Sequence, residues 1–292
     1  MKEALLYRKE KNKIVQCEAC AHFCVIPNGG VGVCQVRKNQ GGALYSLVYG
    51  KVVAQHIDPI EKKPLYHFLP GTTTYSIATV GCNFKCKHCQ NADIAQFKSF
   101  NDSDDWIPGV SIEPAEIVLA AQEAGCPSIS YTYTEPTVFV EFALDVMKLA
   151  GAAGLKNIWV TNGYFSEKTF ALIKPYLDAV NIDLKFYTDL SYRKICGARL
   201  QPVLDNIRRC YDANLHVEVT TLLIPDLNDS DFELERLADF LNGISSEMVW
   251  HLSAFHPAHQ LTALSPTPLA SLNRAKKIGL AAGLKYVYLG NI

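Results

Sequence analysis

The sequence predicts an α/β fold, a partial (β/α)6 barrel ending in a further strand and preceded by a small Cys-rich N-terminal metal-binding segment. Three observations carry this. From Thr74 onward, short apolar runs alternate with helix-length stretches, the pattern of parallel strands joined by right-handed crossovers. Seven of the ten cysteines fall in two groups within the first 89 residues, which points to metal rather than scattered use. At 292 residues and 49% hydrophobic, the chain can bury one large core. The expected division is residues 1–73, Cys-rich with a small hairpin, and residues 74–292, the barrel.

In chain order, the hairpin is expected within Leu44 to Val53, around Gly50 and Lys51. An apolar strand at Tyr75 to Val80 runs into a cysteine loop. A helix at Glu113 to Ala124 follows, entered through Ser111 and Pro114. The unit then recurs: strand Ser128 to Tyr133 with helix Thr137 to Ala153, strand Asn157 to Thr161 with helix Glu167 to Pro175, and strand Ala179 to Leu184 with helix Gln201 to Ala213. Strand His216 to Leu223 with helix Asp231 to Asn242 comes next, then strand Met248 to Ala254 with helix Leu269 to Ala282, and a last strand at Lys285 to Leu289.

A net charge of -1 and a pI of about 6.7 give no electrostatic reason to expect nucleic acid or an anionic membrane as a main partner. Met1 to Val15 is rich in Lys and Glu and has no apolar run of the signal-peptide kind, and no stretch approaches membrane-spanning length. The cytoplasm is the expected compartment, so the cysteines are expected to be reduced.

Gly81-Cys82-Asn83-Phe84-Lys85-Cys86-Lys87-His88-Cys89 carries three cysteines spaced C-x3-C-x2-C. Three thiolates on one loop can hold three corners of a 4Fe-4S cubane and leave the fourth iron for an outside molecule. A structural zinc site is instead closed by four protein ligands, usually as two C-x2-C pairs. In parallel α/β barrels the working residues sit at the C-terminal ends of strands. The polar residues fall there: Tyr131-Thr132-Tyr133-Thr134-Glu135-Pro136, Thr161-Asn162-Gly163, Asp183-Leu184-Lys185, Pro225-Asp226-Leu227-Asn228-Asp229, and His251 with His256. Each alone also reads as a cap, a turn or a solvated pair. Together they suggest one shared pocket.

The second group, Cys17, Cys20, Cys24 and Cys34, precedes the barrel, with Gly29, Gly30 and Gly32 in its last loop. Four thiolates are a complete ligand set for zinc or for a second, electron-relaying cluster. His22 is a substitute ligand or a loop residue. Cys126 and Cys210 read as small buried hydrophobes, whereas Cys196 lies in a polar loop.

On the C-x3-C-x2-C loop after the first barrel strand, the chain from about Thr74 onward resembles the radical S-adenosylmethionine superfamily. Gly81-Cys82, the Tyr131 to Pro136 run, Thr161-Asn162-Gly163 and Asp183-Leu184-Lys185 resemble its pyruvate formate-lyase activating enzyme branch. The N-terminal cysteines, Asp58-Pro59-Ile60-Glu61-Lys62-Lys63-Pro64-Leu65-Tyr66-His67-Phe68 and Tyr286-Val287-Tyr288-Leu289-Gly290-Asn291 are similar to the radical enzyme of the AmmeMemoRadiSam system. Relatives in that branch commonly continue into a further cysteine-bearing tail beyond the point where this chain stops, Ile292.

The resemblance implies an oxidoreductase-type radical enzyme. Cys82, Cys86 and Cys89 would hold the cluster, and S-adenosylmethionine would chelate its open iron. Reductive cleavage would give methionine and a 5'-deoxyadenosyl radical that abstracts hydrogen from a substrate the sequence does not name. His88 is implied to stack on adenine, Glu135 to accept from the cofactor's ammonium, and Thr134 and Asn162 to give neutral polar contacts. Asp183 and Lys185 are implied to arrange the cofactor carboxylate or a monovalent cation, and His251 to meet ribose or adenine. Reduced flavodoxin or ferredoxin is the implied electron donor. A protein substrate, or Memo-like and AMMECR-like companions, are the implied partners. Activation of a glycyl radical enzyme is an alternative, and a non-catalytic cluster carrier or scaffold is another.

Overall fold

The computed structural model describes residues 1–96 and 107–292. Its centre is an eight-stranded sheet. Seven strands run parallel in simple order: Thr73–Ala78, Ser128–Tyr131, Lys156–Thr161, Ala179–Asp183, His216–Leu223, Val249–Ala254 and Tyr286–Gly290. Each crossover carries a helix, at Pro114–Glu123, Val140–Ala152, Glu167–Ile173, Gln201–Asp212, Asp231–Asn242 and Leu269–Ala281. Sequential order without a switch point curls the sheet into an arc. The arc stays open, since Tyr286–Gly290 and Ala54–Pro59 form its two edges. The expected partial barrel of six βα units and a final strand is therefore what the chain builds.

The eighth strand, Ala54–Pro59, pairs antiparallel with Thr73–Ala78, so the sheet recruits one strand from ahead of residue 74. The expected hairpin lies elsewhere: Arg37–Gln40 pairs with Ala43–Ser46 across Gly41 and Gly42. Both glycines have positive φ, 67° and 95°, the backbone that a tight two-residue hairpin demands. Lys51–Val52 instead pairs with Val110–Ser111.

Local chemistry sets the helix ends. Pro114 opens its helix, and Glu116 reaches back to accept from the Glu113 N–H at 2.7 Å. Ser166 and Ser230 cap the helices that follow them. After Pro136 the chain makes a 3-10 turn before the helix Val140–Ala152 begins.

The N-terminal segment forms two small antiparallel sheets. It is docked by backbone bonds, Ala21 N–H to Tyr164 O at 2.9 Å and Ser166 N–H to Ala19 O at 3.1 Å. A buried ion pair adds to this, with Arg37 donating to both Glu141 oxygens at 3.0 and 2.7 Å. Glu141 also accepts from the Leu5 N–H. Among the described residues no helix is long and apolar enough to cross a membrane.

Candidate active site

The loop carrying Cys82, Cys86 and Cys89 leaves the sheet at the C-terminal end of Thr73–Ala78 and is pinned by three backbone bonds to two other segments. Lys85 N–H donates to Cys196 O at 2.8 Å, Lys87 N–H to Ile195 O at 3.0 Å, and Gly81 N–H to Ile94 O at 2.9 Å. Gly81 has φ +97°, and a Cβ there would sit 2.6 Å from Val36 Cγ1 and 3.0 Å from Cys34 O. Glycine is required at this close approach.

The three cysteines line one cavity of about 210 Å³ with His88, Thr134, Asn162, Asp183 and Lys185. Six of the seven expected cofactor contacts thus converge or abut, His251 lying in the neighbouring cavity. Donors already point at the sulfur of Cys82: the Phe84 N–H at 3.4 Å and Asn162 Nδ2 at 3.8 Å. Burial, with the Glu135 charge behind it, pushes the Cys82 thiol well up. Binding of metal as thiolate would therefore release its proton.

His88 is buried, and neither ring nitrogen has a partner. Burial, with the Lys185 charge adding to it, lowers its pKa to about 3, so it is neutral near pH 7. A buried, unpartnered imidazole facing a cavity suits a ligand that can stack and hydrogen-bond. Lys185 Nζ pairs with Asp183 at 2.9 Å, so an ammonium already stands where a monovalent cation was an alternative. Burial opposes the Lys185 charge, but Asp183, Cys86 and Cys196 outweigh it and hold its pKa well up. The residues present fit an open-iron cluster with an amino-acid-bearing ligand beside it.

Glu135 is the correction. It is fully buried and lines neither cavity; its carboxylate accepts from Thr137 N–H, Thr137 Oγ1, Thr161 Oγ1 and Asn162 N–H at 2.5–3.1 Å. It braces the strand end that presents Asn162, and it is buried behind the cavities rather than presented to a cofactor's ammonium.

A larger cavity of about 560 Å³ adjoins the first and shares Gln90, Asn91, Tyr133, Thr134, Asp183, Thr220 and Ser253 with it. Its far wall holds Lys62, Lys63, Tyr66, His251 and Asn291. Two buried networks here escaped the sequence reading. Asp58 accepts from Lys63 Nζ at 2.6 Å, from Lys62 and from the Tyr133 hydroxyl. Burial would raise the Asp58 pKa, but these three donors outweigh it and lower it. Glu218 accepts from the N–H groups of Tyr66 and His67 and pairs with His216 and His251. An available signal was a Glu inside the apolar strand His-Val-Glu-Val-Thr-Thr-Leu-Leu, on the face of Thr220 and Leu222. His256 points elsewhere, to Asn291 O.

Cys17, Cys20, Cys24 and Cys34 surround a small apolar hollow. His22 Nε2 lies 2.8 Å from Asn83 O, between the two cysteine loops, and is a loop residue in that role. Cys126 and Cys210 are buried, as expected; Cys196 is buried too, against Cys86.

An open parallel barrel with three thiols beside a polar cavity defines an α/β barrel with a cysteine-lined site at its strand ends. Residues 76–239 match the radical SAM superfamily, and the chain belongs to that superfamily. It is 43% identical, over all of its length and 86% of the relative's, to the uncharacterized protein MJ0808 of Methanocaldococcus jannaschii. It is 30% identical to the putative glycyl-radical enzyme activating enzyme MJ1632 of the same organism, across 57% of this chain and 62% of that one. Its fold is similar to a radical SAM methyltransferase from Sphaerobacter thermophilus, with a TM-score of 0.58 at 18% identity, covering 76% of this chain and 67% of that one.

Proposed function

We propose that the chain cleaves S-adenosylmethionine reductively at a cluster held by Cys82, Cys86 and Cys89, and directs the radical at a substrate in the larger cavity. The single observation that carries this is the junction of two cavities, one lined by the three cysteines and the other walled by Lys62, Lys63, Tyr66 and His251. When bound, the cluster would pass on an electron received from an external donor, and the cofactor would accept it and supply the 5'-deoxyadenosyl group as a radical when its carbon–sulfur bond breaks.

The chain's residues orient and shield. Asn162 and the Phe84 N–H stabilise the Cys82 thiolate by hydrogen bonds. His88 stacks on the adenine, and Lys185 pairs with the cofactor carboxylate while Asp183 holds the lysine in place. Thr134, itself donating to Thr79 O at 2.9 Å, offers its oxygen. His251, oriented by Glu218, meets the ribose from the second cavity. The separate set Cys17, Cys20, Cys24 and Cys34 binds metal, zinc or a second cluster. Electrons come from flavodoxin or ferredoxin, and the protein works in the cytoplasm.

Activation of a glycyl radical enzyme is a second reading, favoured by the likeness to the putative activating enzyme from Methanocaldococcus jannaschii. Membership of the AmmeMemoRadiSam branch, with Memo-like and AMMECR-like companions, rests on the N-terminal cysteines, the Asp58 to Phe68 stretch, whose Lys62, Lys63 and Tyr66 line the larger cavity, and the ending Tyr286 to Asn291. Anaerobic reconstitution with iron and sulfide, then reduction with S-adenosylmethionine present, tests the reading. 5'-Deoxyadenosine is the expected product; an intact cluster that forms none overturns it.

A further inference from the structure

The four cysteines ahead of the barrel present two features that a structural zinc ion does not require. Zinc holds its four sulfurs at about 2.3 Å, which brings them within about 3.8 Å of one another. Among the described residues the sole group of three Cys, His or acidic ligand atoms within 4.8 Å of one another is Cys86, His88 and Cys196. No three of Cys17, Cys20, Cys24 and Cys34 come that close. The barrel set Cys82, Cys86 and Cys89 does not come within 4.8 Å of one another either, and a multi-iron core holds its thiolates farther apart than a single ion does.

The second feature is a pair of orphaned donors. Arg37 Nε and Asn83 Nδ2 have no hydrogen-bond partner, although Arg37 is 2% and Asn83 1% exposed, and the two residues stand beside the hollow between the four cysteines. Inorganic sulfides and thiolates accept such N–H groups, and those bonds tune a cluster's potential.

We propose that Cys17, Cys20, Cys24 and Cys34 hold a second iron–sulfur cluster that passes electrons to the barrel cluster. The two loops are in contact. Cys34 O packs against Gly81, and Asn83, which lines the first hollow, follows Cys82 in the chain. His22, two residues from Cys20 and from Cys24, bonds to Asn83 O. On the outer side Cys24 is partly exposed between Phe23 and Val25, 42% and 64% exposed, so an external donor protein can approach.

The transfer is one electron. A low-potential donor of the flavodoxin or ferredoxin class is oxidised by one electron, and the outer cluster falls from the 2+ to the 1+ state. It returns to 2+ as the barrel cluster takes that electron, and no proton or atom moves. The relay rests on the radical SAM reading above; the outer cluster itself does not.

The test begins with the reconstituted full chain. Iron and acid-labile sulfide should exceed one cubane's share of about four each. The triple variant Cys82→Ala, Cys86→Ala, Cys89→Ala should retain iron and sulfide in equal amounts, with an EPR signal on reduction. About four iron and one zinc in the native chain, or zinc without iron in the variant, overturns the outer cluster. For the relay, freeze-quenched native protein mixed with reduced flavodoxin should show the outer signal first, decaying as the barrel signal grows. A barrel signal that appears first, or without any decay of the outer one, overturns the relay. Iron retained by the variant in a protein that never makes 5'-deoxyadenosine would sink the proposed function and leave the outer cluster standing.

Discussion

His251 Nε2 lies 2.5 Å from Glu218 Oε2, and the pair joins the neighbouring strands His216–Leu223 and Val249–Ala254 beside the larger cavity, which His251 lines. Both side chains are buried. Burial raises the Glu218 pKa, but His216, His251 and the N–H groups of Tyr66 and His67 outweigh it and hold the carboxyl at about 2.

Glu218 therefore links stability to pH. Its folded pKa is depressed, so its contribution is fully present above the ordinary Glu value and lost as pH falls from about 5 toward 2. That contribution is about 3 kcal/mol. Glu218→Gln should unfold at lower denaturant at pH 7 and lose this part of the acid dependence. Urea titrations between pH 7 and pH 3 check it; parallel curves for the two proteins would refute the linkage.

The Arg37–Glu141 pair should behave as a buried ion pair does when broken. Glu141→Gln leaves an uncompensated guanidinium and should cost about 3–5 kcal/mol. An Arg37→Met, Glu141→Leu double variant should recover most of that loss. Denaturant midpoints of the single and double variants decide it, and equal losses would contradict the pairing argument.

His88 should act as a neutral ring. His88→Ala should weaken S-adenosylmethionine binding about tenfold, while His88→Phe should keep most of it, because stacking is what the ring supplies. With a pKa lowered to about 3, His88 should add no titration to the affinity between pH 5 and pH 8. Calorimetry on the reconstituted protein measures both, and an affinity that follows a histidine titration in that range would be inconsistent with a buried neutral ring.

Gly81 sets the contact between the two cysteine loops. Gly81→Ala forces a side chain into a left-handed backbone and against Val36 and Cys34, at a cost of about 1–3 kcal/mol. Thermal unfolding of the apo chain should shift down by several degrees, and reconstitution should yield less iron per chain. An unchanged melting curve would mean that the loops are not held as described.

The alternating strands and helices, the C-x3-C-x2-C loop and the strand-end polar runs were legible because they are local patterns with fixed periods. The hairpin moved to Gly41-Gly42 because two positive φ angles outweigh a run of alternating side chains. Glu135 read as a cofactor contact because spacing shows that a carboxylate stands near a strand end. It cannot show that Thr137, Thr161 and Asn162 already use its oxygens.

By itself the sequence determined the fold class, the superfamily's three-cysteine loop and the presence of a second cluster of cysteines ahead of the barrel. Only the tertiary structure decided which distant segments meet. It brought Asp58 and Lys63 to Tyr133, Glu218 to His251, and Cys34 to Gly81 beside Cys82. These contacts join residues up to 75 positions apart, and the donors that the fold gathers around Asp58 and Glu218, rather than local propensity, offset burial and keep both carboxylates charged.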